Sequence, residues 1–319
     1  QHARSLGLHV ERDCVGNTMV CPPGRRERSP LVLVAHMDHP GFEAESANRA
    51  RVLGGIPIEL LRPGARVRFY SRTGVVHAVI RRRLRREKIV ELACKAGLHR
   101  GDPGVWDLPV FRRRGKRIYA TAIDGVLGVV AVLAALGALA RHRVRAPVWG
   151  LFTRAEEVGF AGAIEVAQSG CIPPQALVVS LEASSERPWA RVGNGPIIRV
   201  GDRMTTFDPA ATWFLMEVAR RKQIHVQRCL MDGGTCEATA FAAYGYRVAG
   251  LCVPLGNYHN VGKRLRPAAE FVSVRDLVGL VRLSVETALQ WPRFSQLLAA
   301  FPERVRRIYR SAPRKLNDA

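Results

Sequence analysis

Residues 31–38 read Leu-Val-Leu-Val-Ala-His-Met-Asp, an apolar run that ends in an imidazole and a carboxylate. A continuous apolar run is typical of a strand covered on both faces, because a strand with one solvated face alternates apolar and polar residues. Residues 147–153, 176–181 and 248–253 have the same character. The four runs predict a mostly parallel or mixed sheet with helices on both faces.

Helix-like segments separate these runs, at residues 126–143, 161–169, 212–222 and 272–289. The alternation of strands and helices is the order of an α/β domain. The longest apolar stretch, residues 126–140, is too short to cross the roughly 30 Å of hydrocarbon in a bilayer. No membrane partner is therefore expected.

The chain is strongly basic, with 49 basic against 27 acidic residues among its 319, a net charge of +22. Such an excess suits polyanions, but the arginines are spread along the chain without interleaved aromatic residues, so nucleic acid is not an expected partner. The densest basic run is Arg81–Arg86. Seven scattered cysteines without a Cys-x-x-Cys pair predict reduced thiols and a cytoplasmic location.

Carboxylates and imidazoles follow the predicted strands. They are His36 and Asp38, Glu156 and Glu157, Glu182, His259, and Asp124 after a fifth extended stretch at residues 117–123. Each has an ordinary alternative explanation, such as helix capping for Asp124 or compensation of a helix dipole for the glutamate pair. Ligands of open α/β sheets bind at the carboxyl ends of the strands, so the joint placement favours a metal site.

The residue types indicate which metals would suit such a site. Two imidazoles with several carboxylates and no thiolate favour Zn, with Co or Mn as alternatives. The set is too large for one catalytic zinc, so two divalent ions sharing a bridging carboxylate fit better. In the adjacent pair Glu156 and Glu157, one side chain can bind a metal while the other accepts a proton from the attacking water.

These residues resemble those of the co-catalytic metallo-aminopeptidases, the family that includes the tetrahedral and glutamyl aminopeptidases. The matching segments run in the family's order over roughly residues 10–290. They are Ala35–Asp38 with Gly41 and Phe42, Gly101–Pro103, Ala122–Asp124 with Gly128, Phe152–Gly159, Gly233–Thr235, and His259.

The resemblance implies a role for each site residue. One metal would be held by His36, Asp124 and Glu182, and the other by Asp124, Glu157 and His259, with Asp124 as the bridge. Glu156 would be the general base and Asp38 the partner that orients His36. The resemblance also implies a catalytic domain over residues 1–42 and 114–319. An inserted small β domain at residues 43–113 would contribute to homo-oligomer assembly and substrate access.

Three departures from the family pattern bear on the substrate. Glu182 stands where aminopeptidases of this family usually have Asp, His39 replaces a Glu, and Cys236-Glu237 replaces an Asp. The resemblance as a whole implies an aminopeptidase acting on short peptides. Alternatives are a metallo-carboxypeptidase or N-acyl amino acid amidohydrolase with the same metals, and a polyanion-binding protein with a relic active site.

Overall fold

The computed structural model describes residues 1–23, 28–84, 88–144 and 146–311. Its strands in chain order are β1 (His9–Arg12), β2 (Thr18–Cys21), β3 (Leu31–His36), β4 (Gly41–Ser46), β5 (Arg49–Leu53), β6 (Arg66–Ser71), β7 (Gly74–Arg83), β8 (Ile89–Cys94), β9 (Pro103–Trp106), β10 (Arg112–Arg114), β11 (Arg117–Ala120), β12 (Val148–Thr153), β13 (Leu177–Ser185), β14 (Ile197–Asp202), β15 (Gln227–Met231), β16 (Arg247–Leu255) and β17 (Glu270–Ser273). The helices are α1 (His2–Ser5), α2 (Val126–Arg141), α3 (Ala161–Ser169), α4 (Pro209–Arg221), α5 (Glu237–Ala243), α6 (Val274–Gln290) and α7 (Phe294–Ser311).

The main sheet has the order β1-β2-β12-β3-β13-β16-β14-β15. Strands β12, β3, β13 and β16 are parallel neighbours at its centre. The pairs β1–β2, β2–β12 and β14–β16 are antiparallel. The prediction of a mixed sheet is therefore confirmed, and the four apolar runs are its four central strands.

Helices cover both faces of this sheet, as predicted. Alternate residues of β3 enter different cores: Leu31, Leu33 and Ala35 pack with α2, α4 and α6, whereas Val32 and Val34 pack with α3 and α5. Both sets are fully buried. The double burial explains why β3 is apolar at every position rather than at every second one.

In chain order, a closed β-barrel is inserted between β3 and β12 of the main sheet. Its strand order is β4-β5-β8-β7-β6-β9. It has its own core, in which Phe42 packs edge-on against Trp106 at 5.1 Å between ring centroids. The barrel strands span Gly41 to Trp106, and the predicted insert of residues 43–113 remains a prediction. Of the basic run Arg81–Arg86, Arg85 and Arg86 lie outside the described residues.

The fifth extended stretch was wrongly assigned to the main sheet. Only Arg117–Ala120 form a strand, and it pairs with β10 and β17 in a separate three-stranded sheet. The chain leaves the strand because the N–H groups of Ile123 and Asp124 donate to the carboxylate of Glu270 instead of to a ladder partner. The last helix was predicted to begin at residue 272, but it begins at Val274. Residues 270–273 form β17, and the side chain of Ser273 caps α6.

No helix among the described residues is both long and apolar enough to cross a membrane.

Candidate metal centre

Four neighbouring strands deliver the candidate ligands to one edge of the main sheet. His36 is the last residue of β3, Glu182 lies on β13, and His259 follows β16. Glu156 and Glu157 lie in the turn after β12. These strands are parallel, so their carboxyl ends meet at the same edge. Asp124 joins them from the start of α2 rather than from the main sheet.

The two imidazoles face Asp124 through different oxygens. Nε2 of His36 lies 3.7 Å from Oδ1 of Asp124 and 3.3 Å from Oε2 of Glu182. Nε2 of His259 lies 3.4 Å from Oδ2 of Asp124 and 3.7 Å from Oε1 of Glu157. Asp124 is only 3 % exposed. A carboxylate with one oxygen toward each imidazole has the orientation that a bridging ligand needs.

The glutamates of the turn also reach His36. Ligand atoms of His36, Glu156 and Glu182 lie within 4.8 Å of one another, as do those of His36, Asp124 and Glu157. Both glutamates therefore lie within reach of a metal ion bound at His36. The structure thus brings together every predicted ligand, from segments up to 223 positions apart in the sequence.

Asp38 supports the glutamate turn directly. Its two carboxylate oxygens accept the backbone N–H groups of Glu156 at 3.1 Å and Glu157 at 3.0 Å. Its carboxylate is 3.7 Å from Nδ1 of His36, whereas its backbone carbonyl oxygen is 3.0 Å from the same nitrogen. The side chain of Asp38 therefore holds the turn more closely than it holds the imidazole.

Two buried groups fix the backbone at Asp124. Oε2 of Glu270 accepts the N–H groups of Ile123 at 2.8 Å and of Asp124 at 3.0 Å. Gly125 has φ of 82°, and a Cβ there would collide with the carbonyl oxygen of Asp38. Gly125, not Asp124, is the N-cap of α2, so the Asp124 carboxylate is not used for capping. It remains directed at the two imidazoles.

His259 is held in a strained backbone conformation. Its φ is 53°, in the left-handed region, which costs a histidine about 1–2 kcal/mol. Asn257 and Asn260 are also left-handed, a conformation that asparagine adopts more readily. The side-chain amide of Asn260 donates to the carbonyl oxygens of Thr121 and Ala268, which maintains the turn. Strain retained at one turn is typical of a functional site.

Two neighbours orient the His259 ring. Nδ1 lies 3.2 Å from the carbonyl oxygen of Gly55, in the segment that follows β5 of the barrel. A Cβ on Gly55 would lie 2.7 Å from the same nitrogen, so the contact requires glycine. On the other side, Tyr258 stacks on the ring with 3.8 Å between centroids. The barrel segment is thus in direct contact with the site.

Burial, with a smaller contribution from mutual repulsion, raises the pKa values of both glutamates in the turn. Burial raises the pKa of Glu157 to about 8, and the charge of Asp124 adds to the effect. Burial, Glu182, Glu157 and Glu237 raise the pKa of Glu156 well above its ordinary value, although His36 opposes them. A bound cation would lower the pKa of such crowded, buried carboxylates by stabilising their charged forms.

The pKa values of the two imidazoles are raised as well, but by the neighbouring carboxylates rather than by burial. Burial lowers the pKa of His259, but the neighbouring carboxylates of Asp124 and Glu157 outweigh burial and raise it to about 9. Burial likewise lowers the pKa of His36, and the neighbouring carboxylates raise it well above the ordinary value. Protons therefore occupy positions that metal ions would take, and metal binding must displace them.

The candidate ligands line a cleft of about 450 Å³. Tyr258, Arg187 and Arg199 also line it, and none of the three was predicted from the sequence because no motif marks them. Behind the cleft, the fully buried Glu237 accepts the hydroxyl of Thr153, and burial raises its pKa to about 8. In the sequence, Glu237 was marked only by the departure from the family pattern at Cys236-Glu237.

Comparison with protein families gives a match over most of the chain. The model of the M42 glutamyl aminopeptidase family matches residues 88–282, which contain Asp124, Glu156, Glu157, Glu182 and His259. A protein of Acetivibrio thermocellus described as a predicted aminopeptidase is 24 % identical over 303 residues, covering 87 % of each chain.

Solved structures share the fold. The TET1 peptidase of Pyrococcus horikoshii, described as assembling into a tetrahedron or a large octahedral shell, is 23 % identical with a TM-score of 0.74, covering 88 % of this chain and 89 % of that one. The TET aminopeptidase of a marine-sediment Thaumarchaeota archaeon is 22 % identical with a TM-score of 0.75, covering 88 % of this chain and 86 % of that one. At these identities the likeness shows the fold.

Proposed function

The chain belongs to the M42 glutamyl aminopeptidase family, and we propose from this that it cuts short peptides at the amino terminus with two divalent metal ions. The protein is an enzyme, and family membership confirms the prediction of an aminopeptidase over the carboxypeptidase, amidohydrolase and relic-site alternatives. The number of metals, their identity and the residue roles are our proposal.

The observation that supports two metals most directly is the position of Asp124 between two imidazoles. We assign His36, Asp124 and Glu182 to one ion, and Asp124, Glu157 and His259 to the other. The donors fit, because Nε2 of His259 is buried without a hydrogen-bond partner among the described residues. Imidazole and carboxylate donors without a thiolate favour zinc, with cobalt or manganese as alternatives.

When bound, divalent ions lower the pKa of a water molecule and polarise the scissile carbonyl. Glu156 is our candidate for the group that accepts the proton of that water and passes it to the leaving amine. Its raised pKa supports this role, because it makes Glu156 a stronger proton acceptor than an ordinary glutamate. Asp38 holds Glu156 and Glu157 through their backbone N–H groups, so we assign it a positioning role.

We also propose that the protein forms a homo-oligomer and is located in the cytoplasm. The related TET1 peptidase of Pyrococcus horikoshii is described as forming large shells, which supports a homo-oligomer here. We propose that residues 43–113, which contain most of the barrel, contribute to assembly and to substrate access. The seven cysteines, all within the described residues, are free thiols, which supports a cytoplasmic location.

Metal analysis combined with a peptide panel tests the function. We expect two metal ions per chain, hydrolysis of dipeptides with a free amine, and little hydrolysis of amino-blocked ones. A chelator should abolish turnover, and added zinc, cobalt or manganese should restore it. Undiminished turnover after confirmed metal loss, or preferential cleavage of amino-blocked substrates, would contradict the proposal.

A further inference from the structure

The small sheet of β10, β11 and β17 presents one face to solvent. Residues that stand opposite each other on adjacent antiparallel strands project to the same side of a sheet. Arg113 stands opposite Ile118, and Ile118 stands opposite Val272, and the two apolar side chains pack on the main core. The alternate positions of the three strands project away from that core. They include the residues that we call the basic face, Arg112, Arg114, Arg117, Tyr119 and Phe271.

The basic face and its surroundings carry a dense positive charge. Residues 109–117 are all exposed, and five of them are cationic, namely Arg112, Arg113, Arg114, Lys116 and Arg117. Within the described ranges, no carboxylate oxygen lies within the 4.0 Å ion-pair distance of their side-chain nitrogens. The connection from Gly256 to β17 adds three exposed cations, Lys263, Arg264 and Arg266. A cluster of one charge sign without counter-ions is typical of a surface that binds a polyanion.

The acidic residues that flank these segments are engaged elsewhere. No Asp or Glu occurs between Asp107 and Asp124, or from residue 256 to residue 269. Asp107 forms ion pairs with two arginines and a histidine of the barrel. Asp124 belongs to the candidate metal centre, and Glu270 is fully buried and accepts two backbone N–H groups. These carboxylates therefore do not neutralise the basic face.

Two aromatic rings lie among the arginines of the basic face. The ring centroids of Tyr119 and Phe271 are 5.4 Å apart, and the guanidinium carbon of Arg117 lies 4.8 Å from the Phe271 centroid. Gly256 pairs with Phe271 through two backbone hydrogen bonds, and a Cβ on this glycine would collide with the ring. The ring can lie against the backbone only because residue 256 is glycine. Both rings are half-buried, so they are held in place while part of their surface stays exposed.

We propose that the basic face binds single-stranded nucleic acid, with phosphates on the guanidinium groups and bases stacked on Tyr119 and Phe271. Guanidinium groups bind phosphates in a bidentate manner, and a base of any sequence can stack on an aromatic ring. This activity is separate from peptide hydrolysis, because no residue of the basic face belongs to the candidate metal centre. Nucleic acid was not expected from the sequence, since the ring of Phe271 reaches the arginines only in the folded sheet.

The half-buried rings favour a single strand over two other anionic partners. A duplex stacks its own bases and offers no free base face to Tyr119 or Phe271. A membrane would need apolar side chains that project into the lipid. Val110 and Phe111 project in this way, at 67 % and 66 % exposure, but Tyr119 and Phe271 are anchored in the sheet. Stacking uses all the aromatic surface, whereas insertion would use only the edge of the face.

Fluorescence anisotropy with the full chain and a labelled oligouridylate of about 12 nucleotides tests the proposal. We expect binding at about 50 mM salt, with a slope of log K against log salt of about −2 to −3.5, as three to five phosphate contacts require. An RNA duplex of the same length should bind more weakly. No binding at this salt concentration, or binding to phosphatidylglycerol vesicles but not to oligouridylate, would overturn the proposal.

Charge variants assign the binding to the basic face. A triple variant with glutamine at its three arginines should lower the affinity about tenfold or more at 50 mM salt and reduce the slope by about 2. The control triple variant loses the same charge from exposed arginines on β1, α2 and β15, which are Arg12, Arg141 and Arg228. It should keep the wild-type slope. Equal slopes in the two triple variants would show an effect of net charge alone and refute the assignment.

Ring variants separate stacking from charge. Tyr119→Leu and Phe271→Leu keep an apolar side chain of similar bulk but remove the ring. Each should lower the affinity about fivefold or more and leave the salt slope unchanged. Wild-type affinity in both folded variants would refute the stacking. If these variants fail to fold, the charge variants still decide the proposal, because their substitutions are all at exposed positions.

Two controls on the arginine triple variant distinguish this inference from other roles of the same surface. Hydrolysis of leucyl-p-nitroanilide should be unchanged, so a failure of the proposed peptidase function would leave the oligonucleotide result intact. Sedimentation should give the oligomeric state of the wild type. A changed oligomeric state with wild-type affinity for oligouridylate would assign the basic face to contacts between copies of the chain and overturn the proposal.

Discussion

Replacing Asp38 with asparagine should slow peptide hydrolysis while leaving the fold intact. The carboxylate accepts two backbone N–H groups, those of Glu156 and Glu157. Asparagine keeps one acceptor oxygen but directs an NH₂ group at the second N–H, so one hydrogen bond is lost and two donors face each other. The candidate proton acceptor and a candidate metal ligand would both lose the support that holds their turn.

The expected magnitude follows from the strength of a charged hydrogen bond. Such a bond contributes about 1.5–3 kcal/mol, and the Asp38 side chain is 28 % exposed, which favours the lower half of that range. If the loss appears in the transition state, about 1.4 kcal/mol corresponds to a tenfold change in rate. We therefore expect kcat/KM to fall about 10- to 100-fold at saturating metal.

The assay combines steady-state hydrolysis of leucyl-p-nitroanilide with elemental analysis of the same sample, so that a loss of metal is separated from a loss of alignment. Asp208→Asn is the matched control, because Asp208 accepts the backbone N–H of Ala211 at the start of α4, away from the cleft. It should lower the melting temperature but not kcat/KM. Wild-type kcat/KM together with wild-type metal content in Asp38→Asn would refute the positioning role.

Three further predictions concern the site and its surroundings. Glu156→Gln should keep both metals and lose about 10²- to 10⁴-fold in kcat, whereas Glu157→Gln should lower the metal content. If kinetics and metal analysis show metal loss in Glu156→Gln and only slow turnover in Glu157→Gln, the two assignments are reversed. Gly55→Ala should displace the ring of His259, because Nδ1 would lie 2.7 Å from the new Cβ. Elemental analysis should then find fewer than two metals per chain. Full metal occupancy would show that the barrel segment can move away from the ring. In the metal-free protein the pKa of Glu237 is raised to about 8, whereas in the unfolded chain it lies near the ordinary 4.5. Protonation of Glu237 therefore stabilises the fold fully below about pH 4.5, and this stabilisation is lost as the pH rises through about 8. Glu237→Gln should flatten the fall in melting temperature between pH 5 and 8, and an unchanged slope would argue against a buried proton there.

Periodicity and strand-end chemistry predicted much of the site from the sequence. A strand buried on both faces must be apolar throughout, so the central strands and the residues that follow them were recognisable without coordinates. Their shared placement at one sheet edge was predicted in this way for His36, Glu156, Glu157, Glu182 and His259, because the carboxyl ends of parallel strands meet at one edge. The local pattern was sufficient because continuous apolar runs report burial on both faces, and their alternation with helices predicts parallel strands.

Other features depended on contacts between distant segments. Glu270 fixes the backbone of Asp124 across 146 positions, Gly55 contacts His259 across 204, and Asp38 holds the glutamate turn across about 118. Arg199 occupies a position that looks like an ordinary strand residue in the sequence. A hydrogen bond or a buried charge depends on which side chains the fold brings within 3–4 Å of each other, and residue spacing along the chain carries no record of that distance. The tertiary structure alone therefore decided how the ligands are held and which charges line the cleft beside them.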